Sequence, residues 1–271
     1  MLLSGKEVAS KIKALIAEDA RSRTEAGSQP CLAVLRVGEN GPDVAYEHRV
    51  RKNGEELGIR VVTRSLPLDI TEEELLADVE SINRNPAIHG VLIFRPLPRH
   101  INEERIACAV DPAKDADCMN PLQLQKLLTG DPSAVAPCTP EAVISILKHY
   151  EIPMEGKRVA IVNRSLVLGK PLALLFLQEN ATVTICHSKT ADLKEVLRQA
   201  DIVVTGIGKA RFFGPEYFNE KAVVIDVGIN FADGRMCGDV DFEGVQAGVA
   251  AITPVPGGVG AVTSAILLKH I

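Results

Sequence analysis

The 271-residue chain is 46% hydrophobic and 24% charged, with a formal net charge of -5; this composition supports a packed core and excludes disordered and fibrous classes. It has no basic block or clustered basic helix, which excludes nucleic acid and anionic membranes as electrostatic partners. No apolar run approaches the roughly 18 residues of a membrane span, and the opening MLLSGKEVAS lacks a signal-peptide pattern, so a cytoplasmic protein acting on small molecules is expected.

Ser4 and Glu7 have capping-box spacing ahead of Val8, Ile12, Leu15 and Ile16, which predicts an amphipathic helix. CLAVLRV (31–37) is a continuous apolar run suited to a buried strand, followed by the charged helix YEHRVRKNGEELG (46–58) and the strand IRVVTRS. Within that helix Glu47 with Arg51, and Lys52 with Glu56, are spaced to pair along an exposed face. Thr71 and Glu74 repeat the capping box before Leu75, Val79 and Ile82, and GVLIF (90–94) supplies the next strand, leading into RPLPRH.

Between about 111 and 140 the texture becomes rich in Pro, Asp and small residues around a short helix near 121–128, marking a domain boundary. Thr139 as N-cap and Pro140 at the first helical position predict a helix to Tyr150. Strands then follow at RVAIV (158–162), TVTIC (182–186), DIVVT (201–205) and VVIDVG (223–228), with a possible fifth at AAIT and helices between the first three. This alternation predicts α/β architecture: two α/β domains with a cleft between them, the second a Rossmann-type doubly wound parallel sheet. The domains are placed at 1–120 and 140–255, with a helix over 260–271 packing back on the first. The six cysteines (31, 108, 118, 138, 186, 237) form no CxxC pair and are expected to be reduced and mostly buried. The histidines and cysteines show no ligand-like spacing, so no metal is expected.

The first strand of the second domain ends in VNRSLVLGKP (162–171), where a helix N-terminus with free N–H groups favours phosphate and Gly169 permits close packing. An NAD site usually places an acidic residue at the end of the second strand. Here His187, Ser188, Lys189 and Thr190 stand there, and with Arg164 they point to the 2'-phosphate of NADP. A turn with solvated Arg and Lys side chains is the competing explanation.

VNRSLVLGKP, CHSKT, ADIVVTGIGK, VVIDVGIN, GDVDF and ITPVPGGVG occur in order, and with PAKDAD and APCTP they closely resemble the bacterial FolD family over essentially the whole chain. That family comprises 5,10-methylenetetrahydrofolate dehydrogenase and 5,10-methenyltetrahydrofolate cyclohydrolase. The resemblance implies a folate-binding catalytic first domain, NADP on the Rossmann domain, tetrahydrofolate derivatives as substrates and a homodimer. It implies that Tyr46 packs on the folate, that Asp117 faces the pterin, and that the loop Pro256, Gly257, Gly258, Val259 and Gly260 lies over the folate. Asn163, Arg164, Ser165, Ser188 and Ile229 match NADP-contacting positions, Asn163 standing where glycine is usual.

The chain departs from the family pattern in the folate motifs. Val50 takes the place of the lysine four residues after the tyrosine, where positions i and i+4 share a helical face. In RPLP the usual glutamine is Phe94 and the usual leucine Arg95, ahead of Pro96; Cys118 replaces a glycine, and Ala261 and Val262 replace Pro-Met. The resemblance implies that the family's lysine and glutamine are the polar groups tied most directly to hydrolysis, which needs a proton acceptor and donor near carbon, whereas hydride transfer chiefly needs positioning. A dehydrogenase with a weak or lost cyclohydrolase step is therefore expected. Arg49 and Arg95 lie close enough to enter the pocket but cannot shuttle protons, and His48 points to another face. A non-catalytic NADP- or folate-binding protein is the alternative, and a dehydrogenase for a different small substrate a weaker one.

Overall fold

The computed structural model describes all 271 residues, which form two compact units. One contains Lys11–Ala136 and Ser264–Ile271, the other Met1–Ser10 and Pro137–Thr263. The first ten residues therefore group with the second half of the chain. There Leu3 donates to the Ile252 carbonyl at 2.8 Å, and Leu2 bridges to Ile252 in parallel fashion.

In the unit containing Lys11–Ala136, β1 (Cys31–Val37) lies between β2 (Arg60–Leu66) and β3 (Gly90–Ile93) in a parallel three-stranded sheet. The burial of β1 over its first six residues explains its unbroken apolar run. Helix α1 (Gly5–Glu25), whose residues up to Ser10 belong to the other unit, buries Val8, Ile16 and Ala20, whereas Leu15, one residue off that stripe, is 67% exposed. Helix α2 (Gly41–Glu56) turns Glu47, Val50 and Gly54 inward. Helix α3 (Glu72–Arg84) carries the expected capping box, Thr71 and Glu74 each satisfying the other's backbone N–H. It packs Leu75, Val79 and Ile82 into a core with Cys31, Ala33, Leu35, Val91 and Ile93. Helices α4 (Glu103–Ala109) and α5 (Pro121–Thr129) each start on an asparagine N-cap, Asn102 and Asn120.

In the other unit, helix α6 runs Cys138–His149 with Pro137 rather than Thr139 at the N-cap. Pro140 still falls in the first turn, where no intrahelical partner awaits its missing N–H. Five parallel strands follow: β4 (Arg158–Val162), β5 (Thr182–Cys186), β6 (Ile202–Thr205), β7 (Val223–Asp226) and, after a short antiparallel β8–β9 hairpin (Asn230–Ala232, Arg235–Cys237), β10 (Ala251–Ile252). Their order is β10-β7-β6-β4-β5. The chain runs from β4 outward to β5, then returns to the other side of β4 to continue through β6, which makes β4 and β6 the switch point of a doubly wound sheet. Helices α7 (Gly169–Gln178) and α8 (Leu193–Arg198) make the first two crossovers. Helix α9 (Val259–Lys269) follows the loop after β10, and the chain from Ser264 onward belongs to the three-stranded unit, where His270 Nδ1 lies 2.8 Å from the Ala116 carbonyl oxygen.

Candidate functional site

In the three-stranded unit the predicted residues converge at the carboxyl end of β3. Phe94 follows the strand and donates its N–H to the Leu35 carbonyl at 3.0 Å. Its ring stands 5.3 Å from that of Tyr46, tilted by 36°. Val50, one turn along α2, is 3% exposed and Phe94 8%, so the two departures from the family pattern are both buried. Segment 114–116 runs parallel to β3 through the Val91–Asp115 bridge, which brings Asp117 towards the strand's end. Arg95 Nη2 lies 3.7 Å from Asp117 Oδ2, and Arg95 Nη1 4.0 Å from Glu103 Oε1. Arg95, Asp117 and Asp115 supply the charged lining of a pocket whose apolar wall is Val91, Ile93, Val110 and Met119.

Neither nearby guanidinium stands in for a lysine at position 50. Arg49 lies over the Tyr46 ring, 5.7 Å from its centroid, and Arg95 is held by two carboxylates. His48 is exposed and its Nδ1 lies 2.7 Å from Arg51 Nη2, so it belongs to the outer face of α2.

The rotation of α2 is fixed by a contact that the sequence disguised. Glu47 does not pair with Arg51. It is buried, and its Oε2 accepts from Arg36 Nε at 2.7 Å, while Arg36 also donates to the Gly38 carbonyl and to Ser65 Oγ. The pair pins α2 to β1 and leaves Lys52–Glu56, at 3.9 Å, as the exposed pair. In the PAKDAD stretch the other charges are also structural: Lys114 Nζ donates to the carbonyls of Ile82, Asn83 and Asn85 at the end of α3. Asp115, 3% exposed, accepts from the N–H groups of Met119 and Asn120. Burial raises its pKa against those hydrogen bonds. Cys118 adopts a φ of 54°. This left-handed conformation suits glycine, and burial with the nearby Asp115 and Asp117 pushes the Cys118 thiol up to about 12.

In the doubly wound unit, Val162 pairs with Cys186 and Thr205, and Thr205 with Asp226. The loops beginning at Asn163, His187, Gly206 and Val227 therefore leave the sheet along one edge, where ligands of open α/β sheets bind. Arg164, Ser188 and Lys189 are exposed there, Ser165 is half-buried and Ile229 is 60% exposed. The Asn163 carboxamide is used within the edge: its oxygen accepts from Ser165 N–H, Ser165 Oγ and Gly169 N–H, and Nδ2 donates to the Gly206 carbonyl at 2.6 Å. It thus ties the loop after β4 to the loop after β6. A Cβ on Gly169 would lie 2.0 Å from the Asn163 carbonyl oxygen, so only glycine fits this approach. His187 shapes its own turn, its N–H donating to Thr190 Oγ1 and its Nδ1 accepting from Lys189 N–H. In the loop after β10, Gly257 is bound through its carbonyl by the Gly5 N–H at 2.9 Å.

Two family models match this chain. The tetrahydrofolate dehydrogenase/cyclohydrolase catalytic domain covers residues 3–117, and the NAD(P)-binding domain of the same family covers residues 137–271. The chain belongs to the tetrahydrofolate dehydrogenase/cyclohydrolase family. A relative described as bifunctional protein FolD, from Clostridium botulinum, is 51% identical over all of this chain and 96% of its own length. Among solved structures, the FolD methylenetetrahydrofolate dehydrogenase/cyclohydrolase of Campylobacter jejuni superposes with a TM-score of 0.98 at 39% identity, covering 100% of this chain and 96% of its own. The Trypanosoma brucei enzyme, solved with NADP cofactor and inhibitor, gives 0.93 at 34% identity, covering 100% and 95%. No helix is long and apolar enough to cross a membrane, and no three His, Cys, Asp or Glu side chains are grouped to hold a metal ion.

Proposed function

We propose that this family member oxidises 5,10-methylenetetrahydrofolate to 5,10-methenyltetrahydrofolate with NADP, and that hydrolysis to 10-formyltetrahydrofolate is weak or lost. The observation that carries the second half is the Tyr46–Phe94 ring contact beside buried Val50, where the family pattern has glutamine and lysine. The first half is supported by family membership and by the relatives described as bifunctional FolD and as NADP-bound.

The residues at the two sites suit this division. Tyr46 offers the folate a flat ring held by its contacts with Phe94 and Arg49. Asp117 can accept paired N–H donors from the pterin edge, and Arg95 holds one of its oxygens. Arg95 and Pro96 border that edge. The edge of the doubly wound sheet fits NADP: Arg164 and Ser188 are exposed there as donors for the 2'-phosphate, Ser165 and the clamped Asn163 shape the phosphate turn, and Ile229 is an exposed apolar surface. When bound, NADP supplies the hydride acceptor. The protein's part in that step is positioning, which apolar side chains can perform. Water attack on the methenyl carbon needs a group that moves a proton, worth about 10²- to 10⁴-fold, and neither Val50 nor Phe94 is one.

The same reading makes the protein a cytoplasmic homodimer. The test is NADPH formation on adding methylenetetrahydrofolate and NADP, with NAD in parallel. Reduction that is faster with NADP is expected; none above background would favour a non-catalytic binding protein.

A further inference from the structure

The motifs VVIDVGIN and GDVDF contribute a pair of buried carboxylates that neither site has used. Asp239 is 0% exposed and Asp226 3%. Asp239 Oδ2 accepts from the N–H groups of Ile207 and Gly208, and its Oδ1 from Lys209 N–H at 2.8 Å and Asn230 Nδ2 at 2.9 Å. Asp226 in turn accepts from the N–H groups of Gly228, Asp239 and Val240 and from the Thr205 hydroxyl. Two glycines make room for this: a Cβ on Gly228 would lie 2.3 Å from Asp239 Cγ, and one on Gly238 1.9 Å from Asp226 Oδ2.

The segments held are those of the nucleotide edge. Residues 206–209 leave β6 at the switch point, where Gly206 is already tied to Asn163, and Ile229 lies between Gly228 and Asn230. We propose that Asp239 is the positioning residue of the cofactor edge. Its carboxylate sets the backbone after β6 and the presentation of Ile229, and Asp226 sets Asp239. The inference rests on the nucleotide reading of this edge given above. The side chain need not touch the cofactor to act in this way.

Charge and geometry make the site sensitive to an isosteric change. Each oxygen of Asp239 accepts two donors. Whichever way an asparagine turned, its NH₂ would face at least one backbone N–H, those of Ile207 and Gly208 or that of Lys209, which would lose its acceptor.

The experiment measures NADP affinity by titration without folate, at a temperature where circular dichroism shows every variant folded. Asp239→Asn is expected to raise the NADP Kd at least about tenfold, or 1.4 kcal/mol, while the folate KM stays near the native value. Asp241→Asn, in the same motif but only capping the short helix Phe242–Val245, is expected to keep the native Kd. If Asp239→Asn does not fold, Asn230→Ala removes a single donor and is expected to raise Kd about threefold, or roughly 0.7 kcal/mol. A folded Asp239→Asn that merely melts earlier and binds NADP with the native Kd overturns the proposal, as does an unchanged Kd in Asn230→Ala. A native chain that binds no NADP overturns the nucleotide reading and this proposal with it.

Discussion

Replacing Val50 with lysine should return part of the hydrolytic chemistry at a measurable cost in stability. The side chain is 3% exposed, so the change forfeits most of a valine's burial, about 1.5–3 kcal/mol. An ammonium without an acceptor there adds about 1–3 kcal/mol. Val50→Lys is therefore expected to unfold about 3–5 kcal/mol more easily, read from denaturant midpoints at unchanged slope. Hydrolysis of 5,10-methenyltetrahydrofolate should rise by about 10²-fold over the native chain, equivalent to about 2.7 kcal/mol of barrier and the lower end of what a positioned proton-transfer group contributes. The ring of Phe94 still faces Tyr46, so Val50→Lys with Phe94→Gln should rise further. Dehydrogenase turnover should stay within roughly a factor of three, or about 0.7 kcal/mol, in both. The assay follows methenyl decay against the non-enzymatic rate and NADPH formation in a parallel sample. Folded variants that retain dehydrogenase activity but gain no hydrolysis would show that the missing lysine is not what limits the hydrolytic step.

Three other outcomes follow from the packing and the ionisation. Glu47→Ala should cost about 3–5 kcal/mol because it strands buried Arg36, whereas Glu56→Ala on the exposed pair should cost less than about 1 kcal/mol; equal losses in equilibrium unfolding would contradict the assigned partners. Burial, aided by the Asp239 charge, raises Asp226 to about 6, so its contribution to stability is present below its unfolded value and lost as pH rises through about 6. Between about pH 4 and about pH 6 this group should lower stability by about 1.4 kcal/mol per pH unit, an increment that Asp226→Asn should lack in denaturant titrations. Cys108 is the exposed thiol and the other five are buried, so a thiol reagent should titrate one cysteine rapidly in the native protein and six after denaturation.

Much of the architecture was legible because its signals are local. The apolar runs at 31–37, 158–162 and 182–186 match β1, β4 and β5 residue for residue, and the Thr71–Glu74 spacing formed the expected capping box. What escaped depends on partners distant in sequence. Glu47 has a plausible mate four residues on, and only the sheet reveals that Arg36, on β1, takes it instead. Leu15 fits a helical pattern, yet its neighbours in space leave it in solvent. PAKDAD reads as a polar turn, and only the fold separates Lys114 and Asp115, which hold backbone, from Asp117 at the pocket. The glycines of VVIDVGIN and GDVDF signal close approach without saying that each makes space for a carboxylate from the other motif. The substitutions at Val50 and Phe94 were visible in the sequence only against the family pattern, and the structure adds that both are buried and that Phe94 meets Tyr46.

Whether the native chain hydrolyses the methenyl compound decides between a dehydrogenase and a bifunctional enzyme. The direct measurement supplies 5,10-methenyltetrahydrofolate to the native protein and follows its decay beside a protein-free control, after the same preparation has been shown to reduce NADP with methylenetetrahydrofolate. A decay indistinguishable from the control, or only slightly above it, is the predicted result. Robust turnover to 10-formyltetrahydrofolate would show that hydrolysis proceeds without a lysine at position 50 or a glutamine at position 94, and would overturn the proposed loss of the cyclohydrolase step.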